Sequence, residues 1–251
     1  MATGIDHVVI AVNDLDQAIA DFGAAGFTVV PGGTHASGET HNALIAFADG
    51  SYFELIAWLD PASASRTTWL DHLEQGEGLV DFALRSADLQ AEVDRLRAEG
   101  LDTPDPAPGG RTRPDGQRVE WLNLRFDEGN HPWLPFYCDS TNDRGLRVPS
   151  GTDAIHANGA TGISSITVGV SDLAAAARDY AIVSGIEYGS TGEAPDKPEF
   201  AIGTTHVILE DAGTGTRVNV PVALELVTTG DAIGPLDQAL THGAAITLVA
   251  S

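Results

Sequence analysis

An internal repeat constrains the fold of this chain more than any other feature of its sequence. Residues 4–15 read GIDHVVIAVNDL, and residues 162–173 read GISSITVGVSDL. Each copy alternates apolar residues as a strand does, and each continues through Asp-Leu into an alanine-rich segment that ends near a glycine, as a helix does. Asn13 and Ser171 are the predicted N-caps of these helices.

Two weaker copies extend the repeat along the chain. Residues 78–103 again combine a strand pattern, Asp-Leu, a helix pattern and a glycine, and residues 236–251 resemble the start of a fourth copy. Strand-like runs follow the helices: FTVV, HNALIAFA and SYFELIAWL, then VEWLNLRF and WLPFYC, and finally HVILE and VALELVTT. The repeating unit is therefore β-α-β-β-β.

One such unit leaves a face of its sheet uncovered, whereas two units side by side can curve a sheet around a shared cavity with helices outside. We therefore predict an α+β fold with curved mixed sheets. Residues 1–145 are predicted to form two paired modules, and residues 155–251 a third module plus a truncated fourth. The polar stretch 140–161 is the predicted linker.

The charge of the chain excludes several classes of partner. The formal net charge is −23 and the isoelectric point is about 4.3, so the surface repels nucleic acid and anionic lipid. The sequence predicts no membrane span and no secretion leader, and the single cysteine, Cys138, excludes an internal disulfide framework, so we expect a cytoplasmic protein. The acidic bias predicts adaptation to high salt, with an ordinary acidic protein as the alternative; melting temperatures in low and in molar KCl separate the two.

Four phrases, in order between residues 4 and 139, resemble the glyoxalase-like branch of the vicinal-oxygen-chelate superfamily: IDHVVIAVNDLDQA, GETHNALIAFADGSYFELIA, GGRTRPDGQRVEW and LPFYCD. The resemblance implies a divalent metal held by residues on the first and fourth strands of paired modules. A substrate would chelate that metal through adjacent oxygens. Members of the superfamily include isomerases, ring-cleaving dioxygenases, epimerases, thiol transferases and non-catalytic drug-binding proteins, so fold alone does not decide the reaction.

Three residues are the predicted metal ligands. His7 lies on the first strand, where alternation places it on one face with Ile5 and Val9, and its position matches the first-strand ligand of the family. Glu54 matches the fourth-strand ligand, and a carboxylate within so apolar a strand needs a compensating partner. Asp81 aligns with His7 in the second module. For each residue, an ordinary hydrogen bond or an arginine partner is the alternative.

The second module departs from the family pattern, because Pro135 and Phe136 stand opposite Glu54 and neither can bind a metal. His41 is a candidate proton shuttle, and Glu54 a candidate base. The remaining candidates are substrate-binding residues: Arg111, Arg113, Trp121 and His131. Guanidinium groups recognise carboxylates or phosphates, although internal salt bridges are the favoured explanation of the arginines in so acidic a chain.

The sequence thus predicts a metalloenzyme of the isomerase or lyase type that acts on a small oxygenated molecule, with an anionic substrate as one alternative. A dioxygenase is a less favoured interpretation. The predicted cofactor is one divalent ion of zinc, iron, manganese, nickel or cobalt. The alternative is a metal-free protein of the same fold that binds and sequesters a small molecule. In the third module Ser165 stands for His7 and Glu225 for Glu54, which predicts a structural or homodimer-forming half.

Overall fold

The computed structural model describes residues 1–186, 196–213 and 217–251. The first module comprises β1 (Ala2–Ala11), α1 (Leu15–Ala24), β2 (Val30–His35), β3 (Thr40–Ala46) and β4 (Tyr52–Trp58). After α2 (Thr68–Glu74), the second module comprises β5 (Gly78–Ser86), α3 (Leu89–Ala98), β6 (Ala107–Thr112), β7 (Arg118–Leu124) and β8 (Phe136–Ser140). Their eight strands close a barrel in the order β1-β4-β3-β2-β6-β7-β8-β5. The predicted α+β class, with curved sheets around a cavity, is confirmed.

Aspartate side chains begin the helices of the repeats. Asp14 accepts a hydrogen bond from the backbone N–H of Gln17, and Asp172 accepts one from that of Ala175. The predicted caps at Asn13 and Ser171 were therefore one residue early. The carboxylate of the Asp-Leu pair itself satisfies the free N–H groups of the first turn, which explains why that pair recurs in the repeat.

The C-terminal half is an open sheet. Its elements are β9 (Ala160–Val170), α5 (Leu173–Ser184), β10 (Glu199–Ile202), β11 (Thr205–Asp211), β12 (Val220–Thr228), β13 (Gly234–Pro235) and β14 (Ile246–Ala250). The strand order β10-β11-β9-β12-β14-β13 corresponds to β3-β4-β1-β5-β8-β7 of the barrel. The parallel and antiparallel pairings also correspond. Within the described ranges, no strand corresponds to β2 or β6.

This correspondence corrects the alignment of the third module. β12 runs antiparallel to β9, as β5 does to β1, so Glu225 occupies a β5-like position and is not the counterpart of Glu54. The Glu225 carboxylate accepts a hydrogen bond of 2.9 Å from Ser165 Oγ, its neighbour across the strand pair.

Two hydrophobic clusters lie on opposite faces of the barrel wall. The larger cluster covers the outer face, includes residues from helices α1, α3 and α5, and extends into the C-terminal sheet. The smaller cluster lies inside the barrel and includes Val9, Ile56, Ala83 and Phe136. The second half therefore packs on the outside of the barrel, and the polar site described below shares the interior with the smaller cluster. No helix within the described ranges is long and apolar enough to cross a membrane.

An ion pair on α3 joins the two halves. Arg95 donates hydrogen bonds to Glu92 and, at 2.9 Å, to the carbonyl oxygen of Ile182 at the end of α5. Glu92 is 1% exposed and also accepts a 2.8 Å hydrogen bond from the Tyr137 hydroxyl. Burial opposes the ionisation of Glu92, but its bonds to Arg95, the Met1 ammonium group and Tyr137 lower its pKa from 4.5 to about 2.

Glu92→Gln should therefore lower the free energy of unfolding by about 3 kcal/mol at pH 7. Because the folded-state pKa is depressed, this contribution is complete above pH 4.5 and is lost as pH falls from 4.5 towards about 2. Urea unfolding of the wild type and the variant at pH 7 and pH 3 tests this. We expect the difference in unfolding free energy between wild type and variant at pH 3 to be less than half of its value at pH 7. An equal difference at both pH values would contradict this expectation.

Candidate functional site

A cavity of about 640 Å³, counting its open mouth, occupies the barrel interior. It brings together four of the residues predicted from the sequence, His7, Glu54, Arg111 and Trp121. The walls also contain polar residues that the sequence analysis did not select: His35, Thr40, Asn42, Tyr52, Arg125 and Arg147. The first module supplies the two histidines, the tyrosine and the glutamate, and the second module supplies mainly aromatic and arginine side chains.

Two imidazoles face one buried carboxylate in this cavity. His7 Nε2 lies 3.4 Å from Glu54 Oε2, and His35 Nε2 lies 3.3 Å from Glu54 Oε1. The other ring nitrogens are occupied: His7 Nδ1 lies 2.8 Å from Asp6 Oδ1, and His35 Nδ1 lies 2.8 Å from Thr40 Oγ1. Oxygen partners at Nδ1 orient both rings with Nε2 towards Glu54, the arrangement found for histidines that bind metals.

Asn42 completes the surroundings of Glu54. Its Nδ2 donates a 2.6 Å hydrogen bond to Glu54 Oε1, while its buried Oδ1 has no hydrogen-bond partner among the described residues. Burial raises the pKa of Glu54, but hydrogen bonds from His35 and His7 and their charges hold it well below its usual value. Glu54 is therefore a carboxylate at neutral pH.

Both ring nitrogens of His7 face carboxylate oxygens, Asp6 at Nδ1 and Glu54 at Nε2. Burial lowers the pKa of His7, but the hydrogen bonds and negative charges of Asp6 and Glu54 outweigh burial and raise it. If His7 were neutral with its proton on Nδ1, the lone pair of Nε2 would face a carboxylate oxygen, and two acceptors would repel each other. Either a proton or a metal cation resolves this, and two imidazoles with one carboxylate form a recognised divalent-metal ligand set. The residue types that surround Glu54 therefore match a metal ligand set.

An irregularity in β1 creates the Asp6–His7 pair. The pairing of β1 with β5 shifts register between Ile5 and His7, so strict alternation fails at Asp6. Ile5 consequently lies in the outer cluster with Val8, and it does not share a face with His7 as predicted. A β-bulge re-aims side chains in this way, and it lets two consecutive residues interact within the wall.

Arg147, on a segment that follows the barrel strands in sequence, holds Asp6 in place. This arginine lies on the short helix α4 (Arg144–Arg147), within the stretch predicted to be a linker. Its guanidinium binds both oxygens of Asp6 at 2.6 and 2.8 Å, and Arg144 adds a third contact at 2.8 Å. Burial raises the pKa of Asp6, but Arg147 and His7 together keep it far below its usual value.

A second group of possible metal ligands lies beside this pair. Atoms of Asp6, His7 and Cys138 lie within 4.8 Å of one another. However, the Arg147 guanidinium already supplies a cation there, at 2.6 Å from Asp6 Oδ1 and 3.4 Å from Cys138 Sγ. Burial raises the pKa of the Cys138 thiol, which disfavours the thiolate that metals require. This group does not fit a metal ion.

The structure places the other predicted residues outside the cavity. Asp81 lies in a neighbouring pocket, where Trp69 Nε1 donates to its carboxylate at 2.9 Å and Arg125 contacts it at 3.3 Å. His41 lies on the opposite face of β3 from the cavity-lining Thr40 and Asn42.

Arg113 donates to the Leu146 carbonyl at 2.7 Å, and His131 Nδ1 lies 2.8 Å from Asp179. Arg111 lines the cavity, but it donates to the carbonyl oxygens of Gly32 and Arg147. Arg111 and Arg113 thus hold in place the segment that carries Arg147. This favours a structural role over substrate binding for both arginines.

Residues 5–183 match the family model described as the glyoxalase-like domain. A hypothetical protein from Staphylococcus aureus superposes with a TM-score of 0.76 at 14% identity, over 98% of this chain and 99% of that one. A 4-hydroxymandelate synthase mutant from Streptomyces coelicolor gives 0.54 at 15% identity, over 92% of this chain and 72% of that one.

A xylose isomerase-like TIM barrel/4-hydroxyphenylpyruvate dioxygenase fusion protein gives a TM-score of 0.53 at 14% identity, over 92% of this chain and 37% of the fusion. At such identities these likenesses establish the fold alone. No curated protein sequence matches the chain.

Proposed function

The chain belongs to the glyoxalase-like domain family, and from this premise we propose that it is a metal-dependent enzyme of the isomerase or lyase type. The proposed ligands of one divalent ion are His7 Nε2, His35 Nε2 and a Glu54 oxygen. The single observation that supports the proposal is the approach of both Nε2 atoms, at 3.4 and 3.3 Å, to the two oxygens of one buried carboxylate. Three protein ligands leave coordination positions open for a substrate, as catalytic sites require.

A divalent ion at this position would polarise adjacent oxygens of a small substrate and make the neighbouring C–H bond more acidic. Glu54 is the proposed base for that proton, since it is ionised and lines the cavity. Its lowered pKa makes it a weak base by itself, so proton transfer depends on the acidified substrate. Asn42 keeps the Glu54 carboxylate oriented through its 2.6 Å hydrogen bond.

The aromatic wall shields the reacting carbon from water. Trp121 and Phe136 line the cavity on the second-module side, and His7 stacks on Tyr52 with ring centroids 4.7 Å apart. Closing off water strengthens the electrostatic interactions within the site. The resemblance implies metal ligands from both modules, whereas the proposed site takes its ligands from the first module and its walls from the second.

Proton exchange measures this activity directly. Metal-stripped protein, reloaded with zinc, manganese, iron, cobalt or nickel, would be incubated in D₂O with small 2-hydroxy and 2-oxo acids. We expect metal-dependent loss of the NMR signal of the C–H next to a carbonyl, slowed at least ~100-fold in Glu54→Gln. His41→Ala should exchange at the wild-type rate. Metal-loaded protein that exchanges none of these protons would contradict the proposed reaction class.

The second candidate function is metal-free sequestration of a small molecule. Two features of the second module favour this function. Phe136, which cannot bind a metal, stands opposite Glu54, and Arg125 already pairs with Asp81, so neither position offers a metal ligand. The two candidates differ in metal content. In both, the proposed partner is a small molecule, and a homodimer through an edge of the C-terminal sheet stays a prediction.

A further inference from the structure

A second cavity lies where the barrel meets the C-terminal half. It measures about 930 Å³ with its open mouth. Barrel residues form one wall, and Val168 on β9 together with residues 218–221 forms the other. Its lining combines apolar side chains, among them Val80, Phe82, Trp133 and Leu134, with polar and charged ones, among them His72, Asp81, Glu128 and His131. A cavity between two halves of a chain is a typical place for a ligand site, and the apolar part of its lining can hold an apolar group.

Three residues line both this cavity and the barrel cavity: Trp69, Arg125 and Phe136. The Arg125 guanidinium carbon lies 4.4 Å from the centre of the Trp69 ring and 4.0 Å from the centre of the Phe136 ring. Asp81 accepts hydrogen bonds from Trp69 Nε1 and Arg125 Nη1, at 2.9 and 3.3 Å. Asp81 therefore positions the partition between the two cavities.

Arg125 has hydrogen-bonding capacity to spare. Its bond to Asp81 engages one nitrogen, and the remaining N–H groups have no hydrogen-bond partner among the described residues. The other two arginines of the barrel cavity are differently placed, because Arg111 is bound to backbone carbonyls and Arg147 to Asp6. A guanidinium that is held by aromatic faces and keeps free N–H groups is suited to bind a carboxylate.

We propose that the two cavities form one elongated binding site for a carboxylic acid with an apolar group. The carboxylate binds Arg125 at the partition, the apolar group occupies the second cavity, and the oxygen-bearing end lies in the barrel cavity near Glu54. The C-terminal half then contributes to specificity through Val168 and residues 218–221. This inference rests on the proposed use of the barrel cavity for substrate, but it does not depend on the metal.

Calorimetric titration of metal-stripped protein tests the proposal with four probes: acetate, phenylacetate, 4-phenylbutyrate and 4-phenylbutyramide. We expect affinity to rise about threefold to fourfold per buried methylene, so that 4-phenylbutyrate binds at least ~100-fold more tightly than acetate. The neutral amide should bind about tenfold more weakly than 4-phenylbutyrate, because it lacks the charge that Arg125 recognises.

Two variants separate the carboxylate and apolar parts of the site. Arg125→Ala should abolish the preference for 4-phenylbutyrate over its amide, whereas Arg118→Ala, which removes an exposed arginine paired with Glu120, should retain it. Val218→Trp fills the second cavity at a half-buried loop position and should weaken 4-phenylbutyrate binding at least ~10-fold without changing acetate binding. Thermal melting verifies that each variant folds.

Equal affinity for acetate and 4-phenylbutyrate would overturn the proposal, as would an unchanged acid preference in folded Arg125→Ala. Failure of these titrations leaves the metal and exchange experiments unaffected, because the probes are measured without metal. Conversely, a protein that binds 4-phenylbutyrate as described but exchanges no protons would contradict only the proposed reaction.

Discussion

Replacing Arg147 with methionine is expected to lower the free energy of unfolding by about 3–5 kcal/mol, because Asp6 would stay buried without its main counter-ion. Asp6 is 0% exposed, and both of its oxygens bind Arg147. Arg144 remains as a second partner at 2.8 Å, which favours the lower end of this range. Urea unfolding at pH 7 measures the change.

Arg118→Met is the matched control, since the Arg118 side chain is 64% exposed and its pairing with Glu120 should contribute less than about 1 kcal/mol. The double variant Asp6→Asn/Arg147→Met should be more stable than Arg147→Met alone, because it no longer buries an unpaired charge. If Arg147→Met lowers the free energy of unfolding no more than Arg118→Met does, the Asp6–Arg147 pair does not stabilise the site as described.

Replacing His35 with alanine is expected to weaken divalent-metal binding by more than ~100-fold, because one of three proposed ligands is lost. Replacing a residue that hydrogen-bonds to a metal ligand typically weakens metal binding 10–100-fold. Thr40→Val should fall in that range, since Thr40 orients the His35 ring through Nδ1. Isothermal titration of stripped protein with Zn²⁺ and Mn²⁺ gives these affinities.

His41→Ala removes an imidazole from the same strand as Thr40 but from the opposite face, so it should bind metal as the wild type does. A His41→Ala variant that loses as much metal affinity as His35→Ala would show that His41 contributes to the metal site. Equal affinities in wild type and His35→Ala would instead remove His35 from the ligand set.

The repeat and the strand patterns predicted the fold class because alternation and helix periodicity are local properties. Errors arose where a single residue altered the register. The bulge at Asp6 placed Ile5 outside the barrel, and the helix caps fell on Asp14 and Asp172. The antiparallel course of β12 depends on contacts with β9, which strand pattern alone cannot supply.

The candidate site was partly accessible from the sequence. His7 and Glu54 stand out because polar residues within apolar strands need partners, and the structure brings them together. His35 follows a glycine-rich stretch at the end of β2, which lowered its apparent importance. No local signal marks Arg147, because its role depends on a tertiary contact across 141 residues of sequence.

Metal content tests the central claim most directly. Protein purified without a histidine tag or chelator, and dialysed at high salt, would be examined by elemental analysis. The account predicts about one equivalent of a divalent transition metal in the wild type and its loss in His7→Ala and His35→Ala. Wild-type protein that contains no metal, and takes up none on titration, would contradict the account and favour metal-free binding of a small molecule.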